Sequence, residues 1–127
     1  MSVTVEWYDE SQRVMVTRFK GSWTIREATD AHRQANANLK SVAHPVAVIF
    51  DFSTSSMLPS DLLSGIRNSK YERSPDNIAD DMAIVGTSFF LKSLVDIARR
   101  IYAKFVPSNI HFVDSVDEAA NLLHRKL

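Results

Sequence analysis

The chain has 127 residues, of which 45% are apolar and 24% are charged, and its 15 basic and 15 acidic residues cancel. This length and composition predict one globular domain over residues 1–127, with enough buried surface for a real core. A chain without net charge has no overall field that attracts nucleic acid or an anionic membrane, and a chain without cysteine has no disulfide, thiolate nucleophile or cysteine-ligated metal.

The N-terminal segment and the hydropathy pattern predict a soluble, cytoplasmic protein. The first residues, "MSVTVEWYDE", carry acids where a signal peptide needs cations, and they lack an apolar h-region. No run approaches the ~18 consecutive apolar residues of a membrane-spanning helix. We therefore expect no membrane span.

Two alternating runs open the chain and predict a β-hairpin. They are "VTVEWYDE" and "RVMVTRFKG", separated by the polar pair "SQ". We expect the hairpin to end at Gly21. The alternation in the second run predicts that Val14, Val16 and Arg18 share one face, and that Met15, Thr17 and Phe19 share the other.

A helix is predicted over residues 24–43. Thr24 and Glu27 have the spacing of a capping box, in which each side chain binds the backbone N–H of the other residue. Few of the predicted core residues are large, so we expect the helix to pack closely on a sheet. The predicted apolar stripe consists of Ile25, Ala28, His32, Ala35, Leu39 and Val42.

The remainder of the chain alternates between strands and helices. "HPVAVIFDFS" is a continuous apolar run, typical of a strand that helices cover on both faces. Strands are predicted at 46–51, 82–86 and 109–113, and helices at 60–73, 88–105 and 115–127, the last with a second capping box at Ser115 and Glu118. The order β-β-α-β-α-β-α-β-α predicts an α/β fold with a mixed, mainly parallel sheet, flanked by four helices and joined by right-handed crossovers.

Motifs for catalysis are scarce in this sequence. The three glycines do not form a dinucleotide-binding or P-loop fingerprint, and no GxSxG elbow is present. We expect His32 and His111 to be packed side chains, and the acid pairs Asp80–Asp81 and Asp117–Glu118 to be solvated charges of a loop and of a helix start. The sequence therefore predicts a protein that is not an enzyme and that uses no metal and no cofactor.

The stretch "DFSTSSMLPSDLLS", from Asp51 onward, is the first candidate site. It reads as a hydroxyl-rich loop that leaves a buried strand, with Asp51 and Ser53 at its start. In one interpretation Ser60 only caps a helix that begins at Asp61. In the other, a phosphate is favoured beside Ser60, either as a bound anion or through phosphorylation, because a helix start offers free N–H groups.

The stretch "VGTSFF" is the second candidate site. Gly86, Thr87 and Ser88 join a predicted strand to a helix start at the carboxyl edge of the sheet, where open α/β sheets bind ligands. Capping by Thr87 or Ser88 explains the same residues. Phe89 and Phe90 either widen the core or form a surface for a partner, for a second copy of the chain, or for a ligand with an apolar body and an anionic head.

Taken together, these elements resemble the STAS domain, which is named for sulfate transporters and anti-sigma-factor antagonists, and in particular its SpoIIAA-like branch. The resemblance covers nearly the whole chain and rests on the order and spacing of "AVIFDFS", "MAIVG", the helix at 88–105 and "IHFVDSVDEAANLL". It implies a non-enzymatic, regulatory domain that binds a protein partner. Because this branch is grouped by fold with lipid-binding SEC14-type domains, it also implies a small lipid-like or anionic ligand as the alternative to a protein.

The resemblance also bears on phosphorylation. Anti-sigma-factor antagonists carry a DSSG-type motif whose first serine is phosphorylated, and this motif falls on "PSDL" here. Ser60 keeps the serine, whereas Pro59, Asp61 and Leu62 depart from the motif. The resemblance therefore implies a binding domain without the switch as the first hypothesis, and a phospho-switch through Ser60 as the alternative.

Overall fold

The computed structural model describes residues 2–57, 75–86 and 109–127, which form one five-stranded sheet and two helices. The strands are β1 (Val3–Trp7), β2 (Val14–Ser22), β3 (Val46–Met57), β4 (Ile78–Val85) and β5 (Asn109–Val113), and the helices are α1 (Ile25–Lys40) and α2 (Val116–Lys126). The predicted helices at 60–73 and 88–105 lie outside the described residues, so only two of the four expected helices are described.

The strands lie side by side in chain order, β1-β2-β3-β4-β5. β1 and β2 form the predicted antiparallel hairpin. β2, β3, β4 and β5 run parallel to one another. The predicted α/β class, the mixed and mainly parallel sheet, and the parallel strands near 46–51, 82–86 and 109–113 are confirmed.

The end of β2 corrects one prediction. The strand continues through Gly21 to Ser22, so the expectation that Gly21 ends the hairpin is wrong. Gly21 has a φ of +57° and precedes a register shift between β2 and β3. Glycine adopts this left-handed conformation at little steric cost, and such irregularities bend a strand without ending it.

The lengths of β3 and β4 correct two more predictions. The hydroxyl-rich stretch that follows Asp51 was expected to be a loop, but β3 continues to Met57 because the long β2 still pairs with it, as Lys20 with Thr54 and Gly21 with Ser55. β4 begins at Ile78, well before the predicted start, so Asp80 and Asp81 belong to a strand and not to a solvated loop.

The two described helices cover opposite faces of the sheet. We call the faces the α1 face and the α2 face, after the helix that packs on each. On β3, Val46 and Val48 pack with Leu39 of α1, whereas Ala47 and Ile49 pack against α2. The prediction that this strand is apolar because helices cover both of its faces is therefore confirmed.

The core of the α2 face is made of small and branched aliphatic side chains. Small side chains on both partners allow a helix to lie close to a sheet. Its buried members are Val14, Val16, Ala47, Ile49, Ala83, Val85 and Val113 of the strands, with Ala119, Ala120 and Leu123 of α2.

Helix α1 departs in part from its predicted stripe. Leu39 is buried as expected, but the other buried positions are Ala31 and Asn36, while His32 is only half-buried. The side chain of Asn36 is 2% exposed, and its Nδ2 lies 3.4 Å from Nε2 of His32. The predicted stripe omitted Asn36 because an asparagine side chain was not expected in the core.

The two helix starts differ although both carry the capping-box sequence. Thr24 and Glu27 make both reciprocal contacts, which confirms that prediction. Ser115 accepts a hydrogen bond from the backbone N–H of Glu118 at 3.1 Å, as predicted for an N-cap. The carboxylate of Glu118, however, accepts from the backbone N–H of Asp114 at 3.3 Å. The return contact of the second predicted capping box is therefore made to the residue before Ser115 and not to Ser115 itself. Neither helix of the described residues is long and apolar enough to cross a membrane.

Candidate functional site

Asp51 lies at the point where β3 passes from the core to the carboxyl edge of the sheet. It follows Ala47 and Ile49 on the α2 face and is 4% exposed. Its carboxylate accepts three hydrogen bonds: from Nη1 of Arg18 at 2.9 Å, from the backbone N–H of Ser53 at 2.9 Å and from Oγ of Ser53 at 2.6 Å. A buried carboxylate needs such partners to remain charged in a poorly solvated place.

Arg18 connects Asp51 to the edge of the sheet. Its Nε donates to Oε1 of Glu6 on β1 at 2.5 Å, while its Nη1 reaches Asp51 on β3. The hydrogen bond that Arg18 donates to Glu6, followed by the charges of Glu6 and Asp51, raises the pKa of Arg18 above its ordinary value. The side chain of Arg18 is 33% exposed, so the guanidinium remains accessible from solvent.

Sequence reasoning missed Arg18 and Glu6 as site residues. The sequence did contain a signal for Arg18. The alternation of β2 places this cation on the same face of the strand as Val14 and Val16, which is a face expected to be covered. The partner of that cation lies on another strand, and strand neighbours are decided by the register of the sheet. In the structure Arg18 pairs with Asp51 across β2 and β3.

A cavity of about 350 Å³ lies between the hairpin and the start of α2, next to Arg18. The hydroxyl of Tyr8 donates to Oδ1 of Asp117 at 2.7 Å across this cavity, and that hydrogen bond raises the pKa of Tyr8 above its ordinary value. The contact joins the residue that follows β1 to the first turn of α2. The cavity is lined by Glu6, Trp7, Tyr8, Val16, Arg18, Ser115, Val116 and Asp117.

The structure brings three of the predicted site residues to the carboxyl edge of the sheet. Asp51 and Ser53 are in direct contact, and Gly86 follows Val85, the residue that pairs with Asp51. Gly86 has a φ of +111°, which side chains rarely tolerate, and a Cβ there would lie 3.4 Å from Phe52. The other predicted site residues, Ser60, Thr87, Ser88, Phe89 and Phe90, lie outside the described residues.

An aromatic cluster occupies the same edge on the α1 face. Phe19 and Phe52 stack with ring centroids 4.4 Å apart and planes 10° from parallel. Trp23 lies 4.7 Å from Phe19, and its Nε1 donates to Oγ of Ser55 at 3.0 Å. One of the predicted loop hydroxyls therefore supports the aromatic core, because β3 continues beyond Asp51.

The histidines make separate contacts. His111, expected to be merely packed, places Nε2 2.9 Å from Oδ1 of Asp81, which was expected to be a solvated loop charge and instead has this partner. His44 contacts the backbone oxygen of Gln12 at 2.7 Å, and His124 lies 3.7 Å from Asp9. Within the part of the chain that the structure describes, no group of three or more His, Cys, Asp or Glu side chains is arranged to hold a metal ion.

Comparison with known proteins gives a single type of evidence, likeness of fold. No protein-family model and no curated protein matches this chain. Its structure is similar to the crystal structure of an uncharacterised protein of the DUF3478 family from Shewanella loihica PV-4, which has a SpoIIAA-like fold. The two are 16% identical, with a TM-score of 0.56 over 95% of this chain and 91% of the other. The chain therefore has a SpoIIAA-like, STAS-like fold, as the resemblance implied.

Proposed function

We propose that the protein is a non-enzymatic, STAS-like regulatory domain that binds a protein partner at the carboxyl edge of its sheet. The observation that carries this proposal is Arg18. It is a partly exposed guanidinium held between the buried carboxylate of Asp51 and the exposed carboxylate of Glu6, at the wall of a polar cavity.

The two ion pairs of Arg18 differ in what they contribute to the fold. The pair with Asp51 compensates a charge whose side chain is 5% exposed, and so it supports the native state. The pair with Glu6 involves a side chain that is 53% exposed, and exposed pairs contribute little stability. The contact with Glu6 instead fixes the direction in which Arg18 points, and arginine and tyrosine at such positions are enriched in protein interfaces.

The local chemistry supports recognition more than catalysis. The carboxylate of Asp51 already accepts three hydrogen bonds, and one of them is donated by the hydroxyl of Ser53. A general base needs a lone pair within reach of a substrate proton, and a nucleophilic serine needs a base with a suitable pKa. This arrangement holds charges in fixed places, which suits the binding of a partner.

The experiment is a comparison of proteins retained from the native host. Tagged wild-type protein, Arg18→Ala and the control Arg33→Ala are purified in parallel, and retained proteins are quantified by mass spectrometry. Arg33 makes a surface ion pair with Asp30 on α1. The Arg33→Ala variant therefore controls for the effect of removing one positive charge anywhere on the protein. We expect one protein to be retained by the wild type and by Arg33→Ala, and to be lost with Arg18→Ala.

Native mass spectrometry of the same wild-type sample tests the alternatives. A bound lipid-like or anionic molecule in place of a partner would favour the small-ligand hypothesis. One added phosphoryl group on Ser60 would favour the phospho-switch. A dimer whose stability depends on Arg18 would make a second copy of the chain the partner. Equal retention by all three proteins would contradict the proposed site.

A further inference from the structure

We infer that the cavity between the hairpin and α2 receives a long cationic side chain, arginine or lysine, from the partner. This inference rests on the proposed function and specifies the chemistry of its partner. It concerns the polar cavity bounded by Glu6, Tyr8, Arg18 and Asp117.

The charges around the cavity favour a cation. Glu6 and Asp117 contribute two carboxylates to its lining, and Arg18 contributes one guanidinium, which is already bonded to Glu6 and Asp51. An incoming anion would meet this excess of negative charge, and the carboxylate of Glu6 already lies against Arg18. An incoming cation meets Glu6 on the strand side and Asp117 on the helix side without displacing any contact.

The walls of the cavity also suit the shape of an arginine or lysine side chain. Val116 is half-buried beside Val16 and offers an apolar surface for the methylene stem. The Tyr8 ring lies in the same wall, and its hydroxyl holds Asp117 in place through the 2.7 Å hydrogen bond. A cation beside this ring gains a further attraction from its π face. The volume of about 350 Å³ is sufficient for one side chain.

The dipole of α2 opposes a cation in the cavity, and acidic residues in the first turn of the helix offset this effect. The positive end of the α2 dipole faces this region, and a helix start disfavours a nearby cation. Asp117 and Glu118 occupy the first turn of α2 and compensate that end with two negative charges. The local electrostatic field at the cavity therefore still favours a cation.

The test is a titration of isotope-labelled protein with a blocked tetra-arginine peptide, followed by nuclear magnetic resonance. We expect saturable shifts of the backbone amides at Glu6, Tyr8 and Asp117, and none there with a tetra-glutamate peptide. The double variant Glu6→Gln/Asp117→Asn should weaken binding about tenfold or more, because it removes two charge-assisted hydrogen bonds. The control Asp30→Asn/Asp80→Asn removes the same charge from exposed positions elsewhere and should change the affinity less than about twofold.

The outcomes separate this inference from the proposed function. Shifts that do not saturate, or equal weakening by both double variants, would mean diffuse attraction and would overturn the cation site. Binding of the acidic peptide at these amides would overturn it as well. If the tetra-arginine peptide does not bind while a host protein is still retained in an Arg18-dependent manner, the proposed function stands. Only the inference that the partner contributes a cationic side chain is then wrong. If nothing is retained from the host, the proposed function falls.

Discussion

The two sides of β3 are alike at the start of the strand and different at its carboxyl end. On the α2 face the column runs from Ala47 and Ile49 to the buried carboxylate of Asp51. On the α1 face it runs from Val46 and Val48 into the aromatic cluster of Phe50 and Phe52. One strand therefore contributes core on both faces, and then a charged site on one face and an aromatic layer on the other.

This difference shows how an ion pair is placed at the margin of a hydrophobic core. Asp51 is tolerable where it lies because Arg18 pairs with it on the neighbouring β2, and because its own strand supplies the donors of Ser53. The same residue one position earlier would point into the aromatic face, where the described neighbours are apolar.

The largest effect is expected in the core of the α2 face. Leu123 is fully buried against the sheet, so Leu123→Ala should lower the free energy of unfolding by about 3 kcal/mol through lost burial and a cavity. The neighbouring Leu122 is only half-buried, and Leu122→Ala should cost about 1 kcal/mol. Urea unfolding of both variants measures the difference, and equal losses would contradict the assigned orientation of α2.

The second effect concerns the ion pair at the end of β3. Arg18→Ala should lower the free energy of unfolding by about 2 kcal/mol, because it leaves Asp51 charged and buried with only the donors of Ser53. The surface control Arg33→Ala should change it by less than about 0.5 kcal/mol.

A second substitution separates charge from packing at this pair. Adding Asp51→Asn to Arg18→Ala removes the uncompensated charge, and the double variant should recover part of the lost stability. If the double variant is less stable than Arg18→Ala alone, the loss arises from packing and the electrostatic account of Asp51 is wrong.

The helix starts should show smaller and similar effects. Thr24→Ala and Ser115→Ala each remove an oxygen that accepts from a backbone N–H, and each should cost about 1 kcal/mol. Thr29 is the matched control, since its hydroxyl bonds within the interior of α1 to the backbone oxygen of Ile25 and caps no end. A loss with Thr29→Ala as large as that with Thr24→Ala would argue against capping as the cause.

The smallest effect is a pH dependence at the first helix start. The backbone N–H of Ser2, and then that of Thr24, hold the pKa of Glu27 below its ordinary value of 4.5. A lowered carboxyl pKa stabilises the folded state above the ordinary value, and this stabilisation is lost as the pH falls through the folded pKa. Glu27→Gln should therefore be less stable than wild type at neutral pH and nearly equal to it in acid.

The measurement for Glu27 is a series of denaturation curves from neutral to acid pH. Glu10→Gln removes one negative charge from an exposed residue before β2 and serves as the control. A gap between Glu27→Gln and wild type that stays constant with pH would mean that the carboxylate charge plays no part in the cap.

Elements whose causes are local could be predicted from the amino-acid pattern. The alternation of β1 and β2 predicted their hairpin, the continuous apolar run predicted the central β3, and Thr24 and Ser115 predicted two helix starts. These features depend on spacing within a few residues, which a linear pattern contains. The order of strands and helices also led to the resemblance that the fold comparison supports.

Tertiary structure alone decided where strands end and which charges meet. β3 runs on to Met57 because a long β2 lies beside it, and the carboxylate of Glu118 accepts from the backbone of Asp114 instead of from that of Ser115. Glu6, Arg18 and Asp51 come from three strands, and Tyr8 meets Asp117 across most of the chain. Such contacts depend on register and on the placement of a helix over a sheet, and these are fixed by packing the whole core and not by any short segment.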